Sequence, residues 1–198
     1  LTKFEEYNRA TDTWQSKANA VLGGGVANQI SVATPLLTGA RILAYTNGLN
    51  AIRKYTGAGN DADLGGSPPL AKYVIDYGPY LLLLHVTDGG NVYGWRTQWC
   101  DTGDPETWSG GNAGSQDLLE DSGDITGGGK FGQYVTVHKE DSIYIGYLTS
   151  DTTVFHFERR ATGAGTIAHR SIETLPTGEQ IFLARDGLRL FNGTSAPL

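Results

Sequence analysis

Apolar and polar residues alternate along this chain in short runs, cut repeatedly by Gly, Asn, Asp and Pro. Alternation at period 2 marks half-buried β-strands, whereas an amphipathic helix needs apolar residues three and four apart. Residues 134–138 (YVTVH) and 142–148 (SIYIGYL) alternate, with Lys139, Glu140 and Asp141 as the turn between them. In residues 153–159 (TVFHFER), Phe155 and Phe157 share one face while Val154 and His156 share the other. The pattern predicts an all-β chain.

At the N-terminus Leu1, Lys3, Phe4 and Tyr7 suit a strand, residues 8–12 a turn, and Thr13 and Trp14 the start of a second strand. The glycine run at 23–25 makes residues 21–28 a loop, because glycine loses most entropy when held in a regular element. Alternation resumes through Ile30, Val32, Leu36 and Leu37. Ile42, Ala44 and Tyr45 then lead to Asn47-Gly48, a hairpin signal because both residues tolerate positive φ, and residues 51–55 return. Residues 57–69 read as a polar connection, followed by strands at 71–77, 80–86 and 91–99. Residues 109–130 read as one long polar loop, the segment expected to make contacts. Strands at 171–175, 180–184 and 188–191 close the chain.

The stretch from Leu81 to Trp108 organises this pattern, because its first half recurs. ILAYTNGLNAIRKY, LLLHVTDGGNVYGW, VTVHKEDSIYIGY and IFLARDGLRLF each hold an apolar strand, a turn and a mixed returning strand. Their starts, Ile42, Leu82, Val135 and Ile181, lie about 40 to 53 residues apart, the period of β-propeller blades. The expectation is a single β-propeller domain over residues 1–198, of four or five blades with five favoured; the alternative is a β-sandwich. LTKFEEYN resembles the second half of such a hairpin, so strands from both termini are expected to share one blade and close the ring.

Composition sharpens the class. Glycine at 28 of 198 residues, with only 7 prolines, fits many tight turns. A net charge of −6 argues against a general nucleic-acid binder, which needs a basic surface to displace counterions. Cys100 is alone, so no intramolecular disulfide forms. The N-terminus lacks a secretory pattern, and no apolar run approaches the ~20 residues that span a membrane. A chain that starts at Leu1 and has no methionine reads as a piece of a longer protein.

Candidate chemistry is sparse. His85 and His138 occupy corresponding positions before two hairpin turns, and with His156 and His169 they form no metal-binding spacing. Asp61 with Asp63, and Asp101 with Asp104 and Glu106, offer oxygen ligands to calcium without EF-hand spacing. CDTGDPETW is similar to the Asp-box turn of sialidase-like propellers, with extra residues before Thr107. No nucleophile elbow, P-loop or dinucleotide fingerprint is present. Trp14, Trp95, Trp99 and Trp108 suit core packing first and sugar stacking second.

The passage WRTQWCDTGDPETWSGGNAGSQDL resembles the W-S-D-x-G-D-P-x-x-W segment of tailed-bacteriophage virion propeller proteins, with Cys100 where Ser is usual. GGGKFGQYVTVHKEDSIYIGY, TVFHFERRATGAGTIAHRSI and IFLARDGLRLFNG follow in that family's order. The resemblance implies a structural subunit of the tail or neck (a nozzle, hub or adaptor), located in the virion after assembly in the host cytoplasm. It implies partners among other virion proteins and copies of itself in a symmetric ring, with no membrane and no sequence-specific nucleic acid. It carries over no catalytic, cofactor-binding or metal-binding residue. Asp101, Asp104, Trp108, Asn112 and Asp117 are the expected partner-contact residues. The alternative is a carbohydrate-binding or glycan-cleaving propeller of a host-recognition appendage.

Overall fold

The computed structural model describes residues 4–150 and 152–196; the expected contributions of Leu1 and Lys3 to the first strand lie outside them. An N-terminal hairpin of β1 (Glu5–Asn8) and β2 (Thr13–Ser16) forms a two-stranded sheet, each strand pairing with no other strand among the described residues. The first sheet follows: β3 (Ser31–Ala33), then a small hairpin of β4 (Leu36–Leu37) and β5 (Ala40–Arg41), then β6 (Leu43–Thr46), β7 (Arg53–Tyr55) and β8 (Ala62–Asp63). The second sheet is β9 (Leu70–Tyr77), β10 (Tyr80–Asp88), β11 (Asn91–Trp99) and β12 (Gly114–Asp117). The third is β13 (Ile125–Phe131), β14 (Tyr134–Lys139), β15 (Ser142–Leu148) and β16 (Phe155–Thr162). The fourth is β17 (Glu173–Thr174), β18 (Gln180–Ala184) and β19 (Gly187–Phe191).

All four sheets are antiparallel meanders, because turn residues at each reversal leave sequence neighbours as sheet neighbours. Among the described residues the only helical element is a 3-10 turn at His169–Ser171, and no helix is long and apolar enough to cross a membrane.

The sheets stack face to face, and strand alternation decides which residues meet. In the third sheet Val135, Val137, Tyr144, Phe155 and Phe157 join the second sheet's core, while Ile143, Ile145 and Ala161 pack with Phe182 and Phe191 of the fourth. Leu81 to Leu84 on β10 are fully buried because this inner strand is covered on both faces, each side chain contributing about 2 kcal/mol relative to exposure. The first strands of successive sheets also touch: β3 packs on β9, β9 on β13, and β13 on β17.

Three expectations change. Residues 109–130 are not one loop, since they hold β12 and most of β13. The Gly127, Gly128 and Gly129 run is interior to β13: a Cβ at Gly128 would lie 2.6 Å from Leu84 Cδ1 and 2.7 Å from the Thr136 carbonyl. Glycine there permits close packing of sheets, a role that glycine-rich composition does not separate from a loop. Among the described residues the termini share no sheet, because β1 pairs with β2 and β19 pairs with β18.

A smaller difference concerns Asn47-Gly48, which does not form a two-residue turn. The register Tyr45↔Arg53 leaves a longer connection. Asn47 Oδ1 organises it by accepting from the Leu49 and Asn50 amides at 3.1 and 3.0 Å.

Candidate functional site

The first strands converge on a cavity of about 510 Å³. Ser31 and Val32 come from β3, Val74 and Asp76 from β9, Gly128 to Lys130 from β13, and His169, Arg170 and Glu173 from the fourth sheet's entry. All four sheets contribute to this one space.

Two polar links cross it. Lys130 Nζ lies 2.6 Å from Asp76 Oδ2, and the Thr34 amide donates to Asp76 Oδ1 at 3.0 Å. Burial alone would raise the Asp76 carboxyl, but the Lys130 ammonium and these hydrogen bonds outweigh it and hold the group below the usual carboxylate range. The second link is Ser31–His169. The Gly128 amide donates to His169 Nδ1 at 3.3 Å, so the neutral ring carries its proton on Nε2, 3.2 Å from Ser31 Oγ. Burial first, and then adjacent Arg170, push His169 down to about 4, which keeps it neutral near pH 7.

This geometry does not prepare Ser31 as a nucleophile. A general base must turn a lone pair toward the hydroxyl, and the His169 lone pair is already turned to Gly128 N–H. Ser31 Oγ also accepts from Val74 N–H at 3.0 Å and lies 3.4 Å from the Val74 carbonyl. The pair clamps the first, second and third sheets to the fourth sheet's entry turn. Arg170 adds a second tie, donating to the Ile30 carbonyl at 2.7 Å.

The expected contact residues fall into four settings. Asp101 and Asn112 are together: Asp101 Oδ1 accepts from the Thr102 and Asn112 amides at 2.7 and 2.8 Å. Asp104 serves its own turn, accepting from the Glu106 amide at 3.0 Å and the Thr107 hydroxyl at 2.8 Å. Trp108 is half-buried against the main core, and its indole Nε1 is buried without a partner. Asp117 is elsewhere, on β12, in a two-pronged pair with Arg96 at 2.6 and 2.9 Å. That guanidinium lowers the Asp117 carboxyl from its ordinary range.

Other carboxylates considered for calcium already have partners. Asp61 is fully buried and grips Arg53 Nε and Nη2 at 3.1 and 2.8 Å, while Asp63 takes Arg53 Nη1 and Glu106 takes Lys54. Asp61 also accepts from the Tyr45 hydroxyl and from the Asn19 amide at 2.5 Å, which fastens the N-terminal segment to the first sheet. Among the described residues no three His, Cys, Asp or Glu side chains come together as a metal-binding group.

His138, His85 and Trp99 are spent on internal packing and hydrogen bonds, whereas His156 and Trp14 are exposed. His138 is fully buried, 3.0 Å from Gln180 Oε1 and edge-on to Phe182; burial pushes it to about 4. His85 occupies a bulge at φ 57° and reaches the Ile125 carbonyl at 3.1 Å. Trp99 is buried and donates to the Asn112 carbonyl at 2.9 Å, whereas Trp14 is 68% exposed. Burial pushes the Cys100 thiol up to about 11, which leaves it unreactive.

Sequence reasoning passed over Ser31, Asp76, Lys130 and Arg170. Lys130 and Arg170 lie in segments that carry the resemblance, but no local pattern marks any of the four as lining one space. Compared with known proteins, the chain matches no family model and no curated protein sequence.

Proposed function

We propose that this chain is a non-enzymatic structural subunit of a tailed-bacteriophage virion, built as a propeller with one blade per meander and acting by packing against other proteins. The observation that carries the reading is the convergence of four consecutive meanders, stacked in chain order, on one cavity lined by the entry strand or entry turn of each. On this reading each of the four meanders is one blade, and the β1–β2 hairpin lies outside them.

The rest of the chemistry agrees with a scaffold. Asp61, Asp76, Asp117 and the buried Lys139 are all consumed by internal pairs, and His169 is held in the tautomer that does not activate Ser31. The buried Lys139 ammonium binds the Leu118 and Asp121 carbonyls at 2.9 and 2.7 Å, tying the second sheet to the third. The phage assignment itself rests on the resemblance of residues 95–118 and of the later segments. The test is mass spectrometry of purified virions of the encoding phage, followed by a map of the particle. A ring of copies at the tail or neck is expected; absence of the chain from the particle overturns the proposal.

A further inference from the structure

Asn-Gly occurs at 47–48 and again at 192–193, and the two pairs have opposite surroundings. The pairing matters because the backbone nitrogen of the following residue can attack the Asn side-chain carbonyl carbon. Glycine favours that attack, since it carries no Cβ to hold its nitrogen away.

At Asn47 every participant is tied down. The residue is 1% exposed, which keeps water out. Its Nδ2, the group that would leave, donates to the Gly23 carbonyl at 2.7 Å and to Asn50 Oδ1 at 3.1 Å. The Gly48 N–H, the group that would attack, donates to Thr46 Oγ1 at 3.3 Å.

Asn192 is the reverse. It is exposed, in the turn that follows β19, and its own N–H closes that turn on the Ser195 carbonyl at 3.2 Å. Its Oδ1 has the Thr194 and Ser195 amides at 3.1 and 3.0 Å, and their hydroxyls at 3.0 and 3.4 Å. Donors gathered on one carbonyl oxygen polarise it and stabilise the charge it gains when the carbon becomes tetrahedral, as an oxyanion hole does. Among the described residues, neither Asn192 Nδ2 nor the Gly193 N–H has a hydrogen-bond partner. The turn itself calls for glycine, because Gly193 sits at φ 98°.

We propose that Asn192 is a self-modification site, at which the folded turn promotes deamidation through a succinimide. The Gly193 nitrogen bonds to Asn192 Cγ, and its proton passes through solvent to Nδ2. The Cγ–Nδ2 bond then breaks and ammonia leaves. Water opens the imide at either carbonyl, which gives aspartate or isoaspartate at position 192. No oxidant or reductant takes part.

The site lies beside the packing of two sheets. A Cβ on Gly193 would be 3.5 Å from Phe131 Cε1, and Phe131 of the third sheet packs on Phe191 of the fourth with ring centroids 5.4 Å apart. Ala196 rests on the same cluster, and its carbonyl accepts from Arg189 at 2.6 Å. Aspartate adds a negative charge here. Isoaspartate adds an atom to the main chain of a turn that closes over this contact.

Incubating the whole chain at mildly alkaline pH, folded and in guanidinium chloride, tests the proposal by peptide mapping with mass spectrometry. In denaturant the two Asn-Gly pairs are expected to convert at similar rates, because only local sequence acts there. In the folded protein Asn192 is expected to convert about threefold or more faster than in denaturant, and Asn47 about tenfold or more slower. Thr194→Val with Ser195→Ala, both at exposed positions, removes the two hydroxyl donors. That double variant is expected to slow the folded rate about threefold and to leave the denatured rate unchanged.

Asn192 converting no faster in the folded protein than in denaturant overturns the proposal, since the turn then protects the side chain. Equal folded-state rates at Asn47 and Asn192 overturn it too, as does a double variant with the wild-type folded rate. The inference stands apart from the scaffold reading, and none of these rates bears on whether the chain is found in virions.

Discussion

His169 Nε2 lies 3.2 Å from Ser31 Oγ, joining residues 138 positions apart. Among the described residues no strand ladder links the first and fourth sheets, and this bond and the Arg170–Ile30 bond tie that junction. The ring of His169 also lies 4.5 Å from that of Tyr73, and its Nδ1 takes the Gly128 amide. One side chain thus reaches all three other sheets.

His169→Phe retains an aromatic ring and removes both hydrogen bonds, leaving Gly128 N–H without its acceptor. The expected cost is about 1 to 3 kcal/mol. Hydrogen exchange locates it: the Gly128 amide loses protection while Val137, inside the β13–β14 ladder, keeps its own. Uniform loss across both positions would contradict a local clamp.

Stability should fall with acid in a window set by the buried histidines. His138 and His169 are depressed from 6.5 to about 4, so the unfolded chain binds their protons first. Their contribution is complete above pH 6.5 and is lost as pH falls through about 4, on the order of 3 kcal/mol for fully buried His138. Asp61 and Asp76 are lowered as well, so their contributions are lost at still lower pH. Urea midpoints measured across this range should drop below pH 6.5, and His138→Gln should flatten part of the drop.

Gly128→Ala should cost about 1 to 3 kcal/mol, because the new methyl meets a backbone carbonyl that cannot move aside. Gly25→Ala is the control, since a Cβ there meets nothing within 4 Å; its effect should stay within about 0.5 kcal/mol. Equal thermal shifts in the two variants would remove the close-packing account of β13.

Arg53→Met leaves the fully buried Asp61 carboxylate without its counter-charge and should cost about 3 to 5 kcal/mol. Asp63→Asn touches the same guanidinium from a side chain that is 66% exposed, and should cost less than about 1 kcal/mol. Denaturant unfolding of both variants distinguishes a buried tie from a surface pair.

Local pattern decided much of this protein. Alternation and turn residues placed β9, β10, β11, β14 and β15 to within two residues, and β16 to within three, because strand period and turn chemistry act over a few neighbours. The same reasoning put Phe155 and Phe157 on one face, and both are buried while His156 is exposed. It failed where a residue's role is set from another sheet. Gly127 to Gly129 look like loop until Leu84, Ile172 and Thr136 are seen pressing on them. Asp61 looks like a turn acid until Arg53, Tyr45 and Asn19 close around it. Ser31 and His169 carry no mutual signal in the chain, since nothing local couples positions 138 apart. The sequence by itself determined the strands and their order within each meander; only the tertiary structure decided which faces meet, because sheet-to-sheet contact depends on the packed shape of residues far apart along the chain.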